Sequence, residues 1–569
     1  MDGLTFDVII LGGGSAGCVL ASRLSEDAGR RVLLVEAGPD VRPGAVPDAI
    51  SSPYPGRAYF NPGYTWAGLR ASMGSSASNA EPRVVRPYEQ ARLLGGGSSI
   101  NGLGANRGAP SDYEEWAAAG AEGWGWADVL PFFRKLERDA DYGRDAWHGD
   151  DGPLPIRRVG RGEHAGFARA VEGELGRRGF ASREDQNGVW EDGVYPITVN
   201  LDDAGRRAGA ATAYLTEAVR GRDNLTIWTE TRVERVMLEG RRAVGAEVRR
   251  TEGIVVVRAG CVVVSAGALH SPAMLMRSGI GPGAVLARAG IPMLVERAGV
   301  GRNLMEHPSI GVSAFLPGAQ RLTDGERYHI QSILRWSSGM EGAPSGDMHT
   351  AVNTRSGWHA VGLRLGTLFS WVNKSWSTGF VEVASGDAAV EPAVDFRLLS
   401  DGRDLVRLAG AFRQAASVLG ELAGRGDVSD TFPSTYSARV RKWLVPSRAN
   451  GVLMGMVGPA MDLVGPVRRA VLRVAQEGTP SVERLCGDED LLLEHVRRNV
   501  GGVWHPCGTC RMGAEDDPAA VCGADGRVHG VEGLMVCDAS VMPTIPCANL
   551  NVPVLMIAEK MVEGLRSRV

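Results

Sequence analysis

Lysine is nearly missing from this 569-residue chain: only Lys135, Lys374, Lys442 and Lys560 occur among 62 basic residues. With abundant alanine and glycine, that bias points to GC-rich coding of the bacterial kind. A cationic surplus is missing too, since 66 acidic residues leave a formal charge of -4. Nothing here neutralises a run of phosphates, so a nucleic-acid partner is not expected. Eight cysteines are too few for a disulfide scaffold, and a reduced, cytoplasmic protein follows. Long hydrophobic runs are absent. The nearest, Gly451 to Val467 (GVLMGMVGPAMDLVGPV), is short for a bilayer span, carries Asp462 and is interrupted by Pro459 and Pro466. It reads as a buried or lid-forming segment, with membrane-surface contact as the alternative, and no transmembrane segment is expected. The apolar run Val8 to Leu20 follows Asp2 and Asp7 rather than a basic stretch, which argues against a secretion signal. There is no internal repeat and no low-complexity linker.

What is present is an ordinary globular balance, 44% apolar and 22% charged, with one excess: 77 glycines, where average usage would give about 40. The first cluster explains part of it. FDVIIL at 6–11 is the continuous β-branched run of a strand buried on both faces. Gly12, Gly14 and Gly17 follow as G-x-G-x-x-G and open a helix over Ala16 to Ser25; a second strand covers Arg31 to Val35. Such a turn lets backbone N–H groups and a helix N-terminus meet a pyrophosphate. Glu36 ends the second strand 19 residues after Gly17, where a carboxylate accepts both ribose hydroxyls of an adenosine. To this point the pattern fits either FAD or NAD. Further strands are expected at 225–228, 243–248, 254–258 and 261–265, with helical texture at 402–424 and 467–475.

Five later segments decide between cofactors. They are ARLLGGGSSINGLGANRG (91–108), GALHSPAMLMRSGIG (267–281), VGRNLMEH (300–307), VGGVWHPCGTCRMG (500–513) and DASVMPTIPCANLNVPVLMIAEK (538–560). In order and content they resemble the glucose–methanol–choline (GMC) oxidoreductases, nearest to the choline-dehydrogenase-like branch. The resemblance implies FAD and the oxidation of an alcohol, with hydride passing to flavin N5. It implies an α/β and α+β architecture: a Rossmann-like FAD-binding domain (1–155, 205–310 and 495–569) interleaved with a substrate-binding domain on a mainly antiparallel sheet (156–204 and 311–494). His505 becomes the general base, since histidine titrates near neutrality, and Asn549 a hydrogen-bond donor to the alcohol oxygen. Carried over by motif position, FAD contacts fall on Gly12, Gly14, Ser15, Ala16, Gly17, Glu36, Ala37, Trp66, Leu94, Gly97, Asn101, Gly102, Val233, Ala266, Trp504, Asp538, Ala539 and Pro553. The helix opening near Pro553 would direct its N-terminus at the flavin N1–C2=O edge.

The substrate pocket is placed at Gly102, Trp371, Val503 and Trp504. Gly102, with the long apolar segment 434–480, suggests a pocket for an aromatic, furanic or bulkier lipophilic alcohol. Val503, two residues before His505, fits oxygen access to the flavin or plain strand packing. The acceptor is therefore molecular oxygen, giving hydrogen peroxide, or another electron acceptor. A lyase with structural FAD is the remote alternative. Cys507 and Cys510 form a lone C-x-x-C without a partner pair, and no metal site is expected. Some family members attach FAD through a histidine at the slot that Ile100 fills here. An alkyl side chain cannot form that bond, so acid precipitation should release the flavin into the supernatant; a yellow pellet would contradict this.

Overall fold

The computed structural model describes residues 4–74, 85–323 and 328–566. Two sheets carry the architecture. Their strands are β1 (Leu4–Leu11), β2 (Val32–Val35), β3 (Gly193–Pro196), β4 (Leu225–Trp228), β5 (Arg232–Glu239), β6 (Arg242–Arg250), β7 (Gly253–Val264), β8 (Ser309–Phe315), β9 (Ile330–Trp336), β10 (Met348–Asn353), β11 (Leu365–Val372), β12 (Ser429–Pro433) and β13 (Leu534–Val536). The helices used below are α1 (Ser15–Leu24), α2 (Gly267–Arg277), α3 (Gly402–Gly424), α4 (Ala438–Leu444), α5 (Arg448–Leu463), α6 (Gly465–Gln476) and α7 (Asn551–Arg566).

The first sheet runs β5-β6-β7-β1-β2-β4, with β13 also on β7. β1 lies parallel between β7 (Val8↔Cys261, Ile10↔Val263) and β2 (Val8↔Val32, Ile10↔Leu34). Its apolar run is continuous because helices or strands cover both faces. The two strands expected at 254–258 and 261–265 are one, β7. Its first half pairs antiparallel with β6 and leaves Ile254 and Val256 exposed, which explains the alternation there. Its second half is enclosed by β1 and β13, which explains the unbroken valines. α1 and α7 pack together, joined by Arg23 Nη2 to the fully buried Glu559 at 2.8 Å. Chain ends thus close one unit.

The second sheet, β12-β8-β11-β10-β9-β3, is antiparallel throughout. α3 lies across it and buries Leu408, Phe412, Ala415 and Leu419, the stripe of a 3.6-residue period. The fold class read from sequence, a Rossmann-like α/β part interleaved with one built on a mainly antiparallel sheet, is the observed one, with the first sheet mixed because β5, β6 and β7 pair antiparallel.

One reading is corrected. The segment 451–467 is not buried. It forms α5 and the start of α6, a hairpin anchored by Met454, Met461 and Leu472 against Phe315, Val361 and Phe432, and by Asp462 on Arg321 and Arg364 and Arg468 on Asp430. Val452 and Met456 are each 64% exposed and Leu463 84%. Apolar composition suggested burial, but no element of the fold lies over that face among the described residues.

A buried ionic cluster ties the 137–187 region together. His148 Nε2 meets Asp185 Oδ2 at 2.9 Å, and its Nδ1 meets Asp139 at 3.0 Å and Glu137 at 3.2 Å. Arg107 pairs with Glu137, and Arg158 with Asp139 and Asp185. Burial alone would lower the His148 pKa, but the bonds to Asp139, Asp185 and Glu137 outweigh it and raise it to about 10. The raised value means this stabilisation is complete below about pH 6.5 and is lost as pH rises through about 10. His148→Leu strands buried carboxylates and should cost about 3–5 kcal/mol at neutral pH. Thermal unfolding across that alkaline window checks it: the variant should lose less of its Tm between neutrality and pH 10 than the parent.

Candidate functional site

The loop after β1 is built for close approach. Gly12 has φ of +116° and donates its N–H to Val35 at 2.9 Å; a Cβ there would fall 2.4 Å from Ser265 O. Only glycine fits such a turn. Glu36 is buried, with Oε2 accepting from Gly13 N–H at 2.9 Å and Oε1 from Gly38 N–H at 2.8 Å. Burial raises its pKa while those N–H groups lower it. A carboxylate has about four acceptor sites, so capacity remains for ribose hydroxyls.

These residues open on a cavity of about 440 Å³. Its walls include Gly12, Gly14, Ser15, Ala16, Glu36, Ala37, Trp66, Gly97, Asn101, Gly102, Val233, Ala266, Asp538 and Ala539 from the expected cofactor set. His505, Asn549, Trp371, Val503 and Trp504 line the same cavity. Three expected contacts do not line it. Gly17 instead lets α1 sit against the turn, Leu94 packs on Gly13, and Pro553 is buried in the first turn of α7. Two others are engaged differently than expected. The Asp538 carboxylate already accepts Gly267 N–H and Ser540 N–H, each at 2.8 Å, and the hydroxyls of Ser271 and Ser540. It orders the start of α2 rather than presenting free oxygens. Asn101 Oδ1 accepts from Arg207 at 2.8 Å and from Leu103 N–H at 3.0 Å.

The wall suits a dinucleotide. Ser15 Oγ donates to Asn551 Oδ1 at 3.0 Å, which leaves Asn551 Nδ2, a buried donor without a partner, at the cavity beside the glycine loop. A buried unpaired donor is costly, and an acceptor such as a phosphate oxygen satisfies it. The residues present therefore fit FAD.

The opposite end holds the titratable groups. Two motif segments pair as a short ladder: Met305 and Cys507 exchange both backbone bonds (3.0 and 3.1 Å), as do Ser309 and Gly501 (2.8 and 3.1 Å). That ladder sets Glu306 and His307 against His505. Glu306 is 1% exposed and gathers N–H groups from His307 (2.9 Å), Val503 (3.3 Å) and His505 (2.9 and 2.8 Å), and the Tyr88 hydroxyl (2.5 Å). Burial lifts its pKa to about 7 against the lowering effect of those donors. Its grip holds Trp504 at φ of +60°, a left-handed conformation that a bulky residue takes only under constraint. Gly502 makes room: a Cβ there would fall 2.8 Å from the Glu306 carboxylate.

The two histidines meet through Nδ1 atoms 2.9 Å apart, with rings perpendicular. His307 Nε2 faces the Pro546 carbonyl at 3.2 Å. A carbonyl only accepts, so His307 carries its proton on Nε2. Burial drives the His307 pKa well below its ordinary value, and the ring is neutral. Its Nδ1 is then an acceptor, and His505 must donate from Nδ1. That assignment, made from partners, leaves His505 Nε2 with a bare lone pair facing Asn549 Nδ2 at 3.3 Å. Burial lowers the His505 pKa to about 3, so the base form persists. Glu306, His307 and His505 are close enough to share a metal ion, but the carboxylate oxygens are already filled by N–H groups and the Nδ1 pair is bridged by a proton.

Glu306, His307 and Tyr88 were missed as site residues in the sequence reading. Glu306 and His307 stand in the quoted VGRNLMEH motif, yet nothing local to it points at His505 nearly two hundred residues later. Cys507 and Cys510 are buried free thiols whose pKa values are pushed up by burial, the opposite of a reactive pair.

Two family models described as GMC oxidoreductase match residues 6–309 and 375–558. The chain is 40% identical to the 5-(hydroxymethyl)furfural oxidase of Methylovorus sp. (strain MP688), covering 98% of both chains. It is 32% identical to an oxygen-dependent choline dehydrogenase of Escherichia coli O45:K1, covering 99% of this chain and 95% of that one. Its fold is similar to the crystal structure of pyridoxine 4-oxidase from Mesorbium loti, with TM-score 0.80, 31% identity and coverage of 99% and 100%. With one family model matching more than half of the chain and relatives at 40% and 32% identity over nearly its whole length, this chain belongs to the GMC oxidoreductases.

Proposed function

We propose that this chain is an FAD-dependent alcohol oxidase acting on a neutral aromatic or furanic alcohol. FAD supplies the two-electron acceptor when bound. The observation carrying the reading is the unprotonated His505 Nε2 beside the Asn549 amide, both residues lining the cavity. His505 takes the hydroxyl proton, and Asn549 Nδ2 holds the oxygen as negative charge develops on it.

The wall near this pair is apolar: Ile197, Ile330, Ile333, Phe369, Trp371 and Val503. At Gly102 a Cβ would meet only Ile330 Cδ1, at 4.0 Å, so the glycine leaves space for a ring. The carboxylates lining the cavity are all engaged. Glu36 and Asp538 accept backbone N–H groups, Glu234 pairs with Arg232 and Arg249, and Glu89 pairs with Arg441. No spare anion among the described lining is offered to a cationic alcohol, which supports a neutral one. The oxidase names of two relatives and the oxygen-dependent name of a third support oxygen as acceptor, with peroxide as product. No helix among the described residues is long and apolar enough to cross a membrane. All eight cysteines are free, which favours the cytoplasm.

His505→Ala should slow anaerobic bleaching of the flavin by an aromatic alcohol about 10²–10⁴-fold; bleaching at the parent rate would remove His505 from the role of base. His307→Leu should lower kcat about 10–100-fold, the usual effect of losing an orienting partner. His307→Gln should restore much of it, because its amide both donates to Pro546 and accepts from His505. Equal damage by both variants would make His307 a packing residue only. Re-admitting air after bleaching reads the acceptor: rapid recovery of the yellow colour with peroxide marks an oxidase, and a flavin that stays bleached marks a dehydrogenase.

A further inference from the structure

The outward face of the α5–α6 hairpin has no role in the chemistry above. On α5, Val452, Met456, Pro459 and Leu463 recur at helical spacing along one exposed ridge, and the turn adds Val464. Contiguous apolar surface of this kind marks a site of contact. Its charge says what kind. Residues 437–477 hold seven basic side chains against two acidic ones, net +5 in a chain of net -4, so the remaining residues carry -9. Both acids are spent: Asp462 on Arg321 and Arg364, Glu477 on Arg439. Lys442, Arg448, Arg469 and Arg473 are exposed and make no ion pair among the described residues.

We infer that this hairpin docks the protein on an anionic lipid surface, lying in the interface with its apolar ridge inserted and its cations at the headgroups. Basic amphipathic helices bind membranes in this way without spanning them. A second copy is the poorer occupant, because a symmetric contact would set the same unpaired cations against each other. The neighbouring α4, not the hairpin itself, reaches the cavity: its Arg441 pairs with the cavity-lining Glu89. The inference does not depend on which alcohol is oxidised.

Co-sedimentation of the FAD-loaded full chain with lipid vesicles tests it. Binding should be strong to phosphatidylglycerol–phosphatidylcholine vesicles at low salt, weak to pure phosphatidylcholine, and reduced by high salt. Arg448→Gln/Arg469→Gln/Arg473→Gln should weaken binding about a hundredfold, from about fivefold per surface cation. Met456→Ser/Leu463→Ser should also release the protein. Both variants touch only exposed side chains, and unchanged flavin content and turnover of a water-soluble alcohol verify their fold. Equal affinity for the two vesicle types, or variants that bind like the parent, would overturn the inference. So would a parent dimer that the serine variant splits while lipid binding is absent.

Discussion

The Glu306 carboxylate is the contact on which the reaction centre rests. Three backbone N–H groups from two distant segments and one tyrosine hydroxyl converge on it in a site closed to water. Desolvation by itself would expel a charge from there. The converging donors oppose that, leaving its pKa at about 7, and in doing so fix the backbone from Val503 to His505. Trp504 is kept in a left-handed turn, which places the His505 ring over the cavity.

Proton positions follow from this geometry. The Pro546 carbonyl, by accepting, orients His307, and His307 orients His505. A neutral imidazole has one donor and one acceptor, so a single carbonyl at the end of the chain settles both rings. No charge beside His505 is needed for this: burial alone lowers its pKa and keeps the ring unprotonated. Asn549 completes the centre from a third segment, at the entry to α7. The first sheet itself gathers distant parts of the chain, because β1, β7 and β13 come from its start, middle and end.

Some of this was legible in the residues. The glycine loop, the strand before it, the helix after it and Glu36 are local features, and local backbone chemistry decides them. α3 was read to the residue because its apolar stripe repeats every 3.6 positions. The two halves of β7 were read as separate strands because exposure differs along it, and exposure depends on partners from elsewhere. For the segment 451–467 burial was misjudged for the same reason: apolar residues state a preference, and the fold decides whether a partner is there. Asp538 was expected to face the cofactor, yet its oxygens are filled by serines and N–H groups that only folding brings near it.

By itself the sequence determined the glycine turn, the fold class and the family, and it named His505 and Asn549 as candidates, because each lies within a short motif whose chemistry is local. Tertiary structure alone decided which nitrogen of His505 is bare, which donors Glu306 gathers, which carboxylates are already occupied and which apolar helix is left uncovered. Those properties come from groups hundreds of residues apart sharing one desolvated space, where a hydrogen bond or its absence sets protonation, and no local pattern encodes that distance.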